Sequence, residues 1–262
     1  MSERRACDAV RLNRKTKRRQ PYGKEAQALT TRISELSERY PRFGYRKIFD
    51  KLKEAGWRVG REHVRLVRKT LGLQVIKKGK KRRLWGSDPA ELGKAKYPHD
   101  VWSYDLVMDE TVNGRRLKFL TIIDEYTRYG LAIFVSRSIT AGHVRSVLTD
   151  LFGLWGLPTH IKSDNGPEFI AKDIQTWLKE TGVKTQFIEP GSPWQNGHNE
   201  SFNAVFRDGC LDRWLFYSVQ EARRVTESWL HEYNHERPHG SLGGKTPAVF
   251  LESCQVPKKE AA

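Results

Sequence analysis

The 262-residue chain carries 47 Lys and Arg against 31 Asp and Glu, a formal net charge of +16. It holds no apolar run of the roughly eighteen residues a membrane helix needs and no secretory leader, so a soluble cytosolic protein without a membrane partner is expected. Its three cysteines, Cys7, Cys210 and Cys254, are too far apart to suggest a disulfide framework, and no Cys/His quartet spells a zinc finger.

The charge is unevenly placed. Residues 1–83 hold 27 Lys and Arg against 8 Asp and Glu, and the remainder holds 20 against 23. The whole positive excess therefore lies in the first third, the pattern of a surface that meets a phosphate backbone. Residues 1–20 alone read as a solvated basic segment. Residues 21–76 read as a small helical domain. A helix is expected over 24–40, with Ala28, Ile33 and Leu36 inward, and Pro41 stops it. A second helix starts at Gly44-Tyr45 with Ile48, Leu52 and Ala55 apolar, and Gly56 ends it. A third, 61–71, places Val64, Val67 and Leu71 on one face and leaves Arg61, Arg65, Arg68 and Lys69 for the other. Two helices joined by a short Gly-containing turn, the second one basic, suggest a helix-turn-helix unit that contacts DNA.

Residues 77–97 read as a basic linker whose Lys77, Lys78, Lys80, Lys81, Arg82 and Arg83 can lie along phosphates. The run also fits a nuclear-targeting pattern. An α/β core is expected over 98–217. Strands are predicted at 102–109, 117–124 and 131–135, with the hairpin signal Asn113-Gly114 between the first two. A helix over 144–155, a strand at 159–163, a helix over 170–179 and a strand at 183–188 follow. Three antiparallel strands and then alternating helix and strand is the order of an RNase-H-like fold, a five-stranded mixed sheet with flanking helices. Residues 218–262 are expected to form a helical extension and tail, with a helix over 219–231 that turns Trp229 and Leu230 inward.

Three acids stand out by their surroundings. Asp105 lies within V-W-S-Y-D-L-V-M, apolar on both faces and so a central strand, where a carboxylate needs a compensating partner. Asp164 follows the apolar run 157–161 and precedes Asn165, Gly166 and Pro167, a strand breaking into a turn. Glu200 lies after the turn-rich 190–193, with thirty-five residues between it and Asp164, and opens a helix. On that helix Asn196, Glu200, Asn203 and Arg207 share a polar face opposite Phe202, Val205 and Phe206. Three converging carboxylates need a cation, and hard oxygen ligands favour Mg²⁺ or Mn²⁺. Asp124 competes with Asp105, since it too ends an apolar strand; a carboxylate bonded to its neighbouring turn is the commoner fate there. Glu168 reads as a helix N-terminal acid. His231-Glu232-Tyr233-Asn234-His235 is a literal H-E-x-x-H, but Pro238 follows closely and only three positions are fixed.

Asp105, Asp164 and Glu200 with their flanks resemble the Asp-Asp-Glu triad of integrase-like transposases. The run Tyr233-Asn-His-Glu-Arg-Pro-His-Gly-Ser-Leu-Gly-Gly-Lys-Thr-Pro247 is similar to the C-terminal signature of the insertion-sequence-three family, second reading frame. The upstream Phe43-Gly-Tyr-Arg-Lys-Ile48 resembles that family's helical module. The resemblance spans residues 20–250 and selects Asp105 over Asp124. It implies a transposase whose three carboxylates hold two Mg²⁺ or Mn²⁺ ions for two-metal in-line phosphoryl transfer, cleaving and joining DNA, with a circular DNA intermediate. It also implies a fused upstream-frame product, double-stranded element ends and target as partners, a homo-oligomeric DNA complex in the bacterial cytoplasm, and Arg237 and His239 near the triad or the backbone. Gly209 departs from relatives that carry Glu there, and the zinc module that opens retroviral integrases is missing. Two alternatives stand beside this reading: a nuclease of the same fold that cuts without joining, and a DNA-binding protein that has lost catalysis, against which the intact triad argues.

Overall fold

The computed structural model describes residues 24–75, 95–163, 172–187 and 196–255, with isolated positions 4, 7 and 9. The chain divides into two compact units, Met1–Gly79 and Lys80–Ala262.

In the first unit, α1 (Lys24–Arg39), α2 (Tyr45–Glu54) and α3 (Arg61–Thr70) lie where the apolar spacing puts them, within one or two residues. Gly56 ends the second with a positive φ of 81°, a conformation that costs glycine nothing. The three helices close over Ile33, Leu36, Tyr40, Phe43, Ile48, Leu52 and Val64. Ala28, Ala55 and Leu71, expected inward, are exposed near the helix ends, where a stripe runs past its partners. Arg68 is the main correction here. It is not available to DNA: it is 3 % exposed, and its guanidinium donates to the carbonyls of Phe43 (2.7 Å) and Leu73 (2.6 Å). Its position explains this, because Arg68 is four residues after the buried Val64 and shares its face. The first bond ties α3 to the turn between α1 and α2, and the second holds the segment that follows α3.

The second unit is built on a five-stranded sheet of order β3-β2-β1-β4-β5. Its strands are β1 (Val101–Glu110), β2 (Arg116–Asp124), β3 (Gly130–Ser136), β4 (His160–Ser163) and β5 (Lys184–Phe187). The first three pair antiparallel, while β1–β4 and β4–β5 are parallel, so β1 is the central strand its two-sided hydrophobicity requires. Gly114 turns the first hairpin with φ 72°. Helices α4 (Ala141–Trp155) and α5 (Lys172–Glu180) connect the later strands. Then come α6 (Gly197–Gly209), α7 (Val219–His235) and α8 (Pro247–Gln255). The last of these falls within the helical extension expected over 218–262, where no separate helix was placed. Helix α7 runs four residues past its expected end. Ser218 caps its start by accepting from Glu221 N, and the Glu221 carboxylate reaches back to Tyr217 N.

Alternation along the strands sorts the core into two layers. Trp102, Tyr104, Leu120 and Ile122 meet α4 and α5 through Val144, Leu148, Ile174 and Leu178. Val107, Leu117, Phe119 and Ile123 face the other way, toward Phe202 and Phe206 of α6 and Tyr233 of α7. Each fully buried side chain of this size contributes about 2 kcal/mol relative to exposure. Because successive residues alternate, Asp105 shares the Val107 face and looks toward α6.

Close packing of α7 on this layer is enforced at two glycines. A Cβ at Gly130 would lie 2.5 Å from Leu230 Cδ1, and one at Gly209 would lie 2.8 Å from Trp229 Nε1. The side chain of Asn234 brackets Gly130, accepting from its N–H and donating to its carbonyl, each at 2.8 Å. A Glu at position 209 could not occupy this packing without moving Trp229.

Candidate active site

Strand β1 pairs with β4 only from Val101 to Ser103, so among the described residues its edge beyond that point has no strand partner. Helix α6 takes that place with a stripe of polar side chains at spacing four. With the Asn199 amide turned so that its oxygen faces the strand, which is the orientation that satisfies both its ends, it accepts from Tyr104 N and Asp105 N, both at 3.2 Å. Asn203 Nδ2 donates to Asp105 Oδ2 at 2.7 Å, and Arg207 donates to the Met108 carbonyl at 2.8 Å. Eight helical residues rise about 12 Å, close to the span of four strand residues, so helix and strand can stay in step along this stripe.

The Asn203 amide is fixed at both ends. Its oxygen lies 2.9 Å from the Thr121 hydroxyl, which sits opposite Asp105 in the β1–β2 register and is fully buried. Its nitrogen is thereby turned to the carboxylate. The other carboxylate oxygen, Oδ1, accepts from Leu106 N at 2.7 Å. Donors on both oxygens fix the plane of the carboxylate. Glu200 is exposed in the first turn of α6, three residues before Asn203, where the helix N-terminus favours a negative charge. The structure thus brings Asp105 against the helix that carries Glu200. Asp164 and Asn165 follow Ser163, the last residue of β4, and lie outside the described residues. The two described carboxylates present only hard oxygen donors, which suits Mg²⁺ or Mn²⁺ and not zinc.

Asp124 has the structural role expected of it. It is fully buried and accepts from the N–H groups of His99, Tyr126 and Thr127 and from the Thr127 hydroxyl. Burial is the main influence and pushes its carboxyl up, partly offset by the Thr127 bonds. Next to it, Lys162 and Glu125 form a buried ion pair at 3.0 Å. No local pattern marks that pair in the sequence, nor Thr121 and Asn199, whose partners lie 16 or more residues away.

The other expected site residues are dispersed. Asn196 is buried and forms the N-cap of α6. Arg237 and His239 gather around the buried Tyr233, whose ring stands edge-on to His239 at 5.0 Å; burial lowers the Arg237 pKa. In the helical unit Arg61 is exposed over the Phe49 ring at 5.2 Å, and Lys69 is exposed. Arg65 is hydrogen-bonded to Glu62 at 2.9 Å. Lys77, Lys78, Lys80, Lys81, Arg82, Arg83 and Glu168 lie outside the described residues. His231 and His235 stack on one face of α7 at 4.5 Å, but no group of three His, Cys, Asp or Glu poised for a metal occurs among the described residues.

Sequence profiles described as "Integrase core domain" match residues 95–193 and 181–247, and one described as "HTH-like domain" matches 24–81. An insertion element IS476 protein of 39.2 kDa from Xanthomonas euvesicatoria is 38 % identical over 98 % of this chain and 74 % of its own length. The 31.7 kDa protein of insertion element IS407 from Burkholderia multivorans is 34 % identical over 95 % of this chain and 90 % of its own. The chain belongs to the insertion-sequence-three family of transposases. The fold of this transposase is also that of a chain in the simian T-cell lymphotropic virus intasome solved with PP2A regulatory subunit B56 gamma. There the TM-score is 0.55 at 17 % identity, over 81 % of this chain and 77 % of that one. The transposase is therefore a polynucleotidyl transferase with an integrase core of RNase-H-like fold, preceded by a helix-turn-helix-like unit.

Proposed function

We propose that this transposase cleaves and joins DNA strands by metal-dependent in-line phosphoryl transfer, with Asp105, Asp164 and Glu200 holding two Mg²⁺ or Mn²⁺ ions. The observation that carries the reading is the Asn203–Asp105 hydrogen bond, which fixes a carboxylate of the central strand against the helix bearing Glu200. Held by these carboxylates, the ions would supply activation of a water or 3′-hydroxyl and charge compensation at the leaving oxygen. Asn203 and Leu106 N orient the Asp105 carboxylate before any ion arrives, so little reorganisation is left for the reaction. Glu200, exposed on α6, supplies a second carboxylate from a rigid helix. Arg61, Arg65, Lys69 and the 77–83 run hold the phosphate backbone, sequence-independently and with strong salt dependence. Double-stranded element ends and target DNA are the partners, met by several copies of the chain together with the upstream-frame product. The site of action is the bacterial cytoplasm; among the described helices none is long and apolar enough to cross a membrane.

The test uses Glu200→Gln on oligonucleotides carrying an element end. Cleavage and joining are expected to disappear while DNA affinity stays within about twofold, since the lost carboxylate acts on the transition state and not on duplex binding. Joining at the wild-type rate would remove Glu200 from the site. Wild-type cleavage products that are never joined would instead make the protein a nuclease.

A further inference from the structure

One buried hydroxyl stands at the centre of the contacts around Asp105. Thr121 lies opposite Asp105 in the β1–β2 register and is fully buried, as is Asn199. Its Oγ1 is 2.9 Å from the Asn203 amide oxygen, 3.2 Å from the Asp105 carbonyl and 3.4 Å from the Asn199 amide. A hydroxyl carries one hydrogen and two lone pairs, so it donates to only one of these neighbours. Which one is decided by the groups around it.

The main chain of β1 makes that choice. Tyr104 N and Asp105 N both point at the Asn199 amide, and only its oxygen can accept from them. The Asn199 NH₂ group therefore faces Thr121 Oγ1. An NH₂ group only donates, so the hydroxyl receives on that side and directs its own hydrogen elsewhere. The nearest acceptor is the Asn203 oxygen. With that oxygen held, Asn203 turns its NH₂ to Asp105 Oδ2 at 2.7 Å. The series thus runs one way, from the β1 main chain through Asn199, Thr121 and Asn203 to the carboxylate. Reversed, the Asn203 amide would set its oxygen against a carboxylate oxygen, two acceptors with no hydrogen between them.

We propose that Thr121 is a positioning residue for strand joining: its hydroxyl passes the hydrogen-bond direction set by the β1 main chain from Asn199 to Asn203, and so holds the Asp105 carboxylate in the orientation that takes a metal ion. This rests on the metal-site reading given above. Thr121 acts through Asn203 and not on the reacting atoms. Removing a group that orients a metal-binding side chain typically costs about 10- to 100-fold in metal affinity or activity.

The test compares Thr121→Val, which keeps the shape of the side chain without the hydroxyl, with Thr121→Ser, which keeps the hydroxyl. Both are made in the full chain, beside Asn203→Leu, the double variant of Thr121→Val with Asn203→Leu, Asn234→Ala and Glu200→Gln. Thermal midpoint, Mn²⁺ affinity by electron paramagnetic resonance of the free ion, and the kcat and KM of strand joining are read. Thr121→Val is expected to lose about tenfold in Mn²⁺ affinity and about 30-fold in kcat, with KM for DNA within about twofold. Thr121→Ser should stay within about threefold of the wild type in both. Adding Thr121→Val to Asn203→Leu should lower neither quantity further, because the residue through which Thr121 acts is already gone. Asn234→Ala loosens the bracket on Gly130 and should lower the midpoint while keeping Mn²⁺ affinity and kcat. Wild-type affinity and kcat in Thr121→Val, a Thr121→Ser as impaired as Thr121→Val, additive losses in the double variant, or the same losses in Asn234→Ala overturn the proposal. If Thr121→Val does not fold, Thr121→Cys decides, since a thiol is only a weak donor. Weakened Mn²⁺ binding with unchanged KM then supports the role, and wild-type binding and kcat overturn it. If Glu200→Gln itself binds Mn²⁺ as the wild type does, the metal-site reading fails and the proposal fails with it. A Glu200→Gln defect beside a fully active Thr121→Val overturns the positioning role alone.

Discussion

The two units of this transposase differ in how much positive charge they carry, and each turns a cation inward. The helical unit carries the positive excess, and Arg61 and Lys69 stand exposed, whereas Arg68 is turned inward onto two carbonyls. The α/β unit is close to neutral, yet it buries Lys162 against Glu125 beside the segments that carry the candidate carboxylates. Charge counts therefore locate a DNA-facing surface by its excess, but they do not say which individual cations serve it. A guanidinium or ammonium that finds fixed oxygen partners becomes part of the framework, and one that does not stays in solvent.

The sharpest way to break this comparison is to remove residues 1–83. Duplex affinity of residues 84–262 should fall by about three orders of magnitude at moderate salt. The slope of log K against log salt should flatten by about 0.9 for each phosphate that is no longer neutralised. A salt titration of both proteins, with circular dichroism to confirm that the core is folded, gives the answer. Equal affinities and slopes would mean that the basic third is not the DNA surface.

Within the helical unit, Arg68→Met and Lys69→Ala should separate. Losing two charge-assisted bonds at Arg68 should cost about 3 kcal/mol in denaturant unfolding. Lys69→Ala should leave stability within about 0.5 kcal/mol and reduce the salt slope by about 0.9. The opposite assignment of effects would return Arg68 to the DNA surface.

In the α/β unit, Asn234→Ala should cost about 2 kcal/mol, because the N–H and carbonyl of Gly130 lose the bracket that holds β3 to α7. Gly130→Ala should cost a similar amount, about 2 kcal/mol, by pressing a methyl on Leu230 and Phe202. Thermal denaturation of each variant checks this, and a neutral Asn234→Ala would show that the clamp contributes little. The smallest effect is expected from His231→Ala with His235→Ala, which should leave metal-dependent joining unchanged. A stoichiometric zinc that disappears in that variant, measured by elemental analysis, would instead make H-E-x-x-H a real site.

Much of the core was legible because its signals are local. The two-sided hydrophobicity of β1, the Asn-Gly turn and the period-two pattern of β2 depend on neighbours within a few residues, and the strands lie where those patterns put them. The polar face of α6 was legible in the same way. What it faces was not. Asn203 meets Asp105 across 98 residues of sequence, and Thr121 joins them only because β2 sits beside β1. Helix α7 could be seen in Val219 to His231 but not its last turn, since Asn234 is held by Gly130, 104 residues away.

By itself, then, the sequence determined the order of helices and strands, the segregation of charge, and the three carboxylates in their motif contexts. Only the tertiary structure decided that Arg68 is a framework residue, that Asn199 and Asn203 complete the edge of β1, and that Lys162 is buried with Glu125. The reason is physical. Periodicity records which face of an element is apolar, a property of the element alone. The partner of a polar group is chosen by sheet order and by how closely two backbones approach, and no window of sequence contains both.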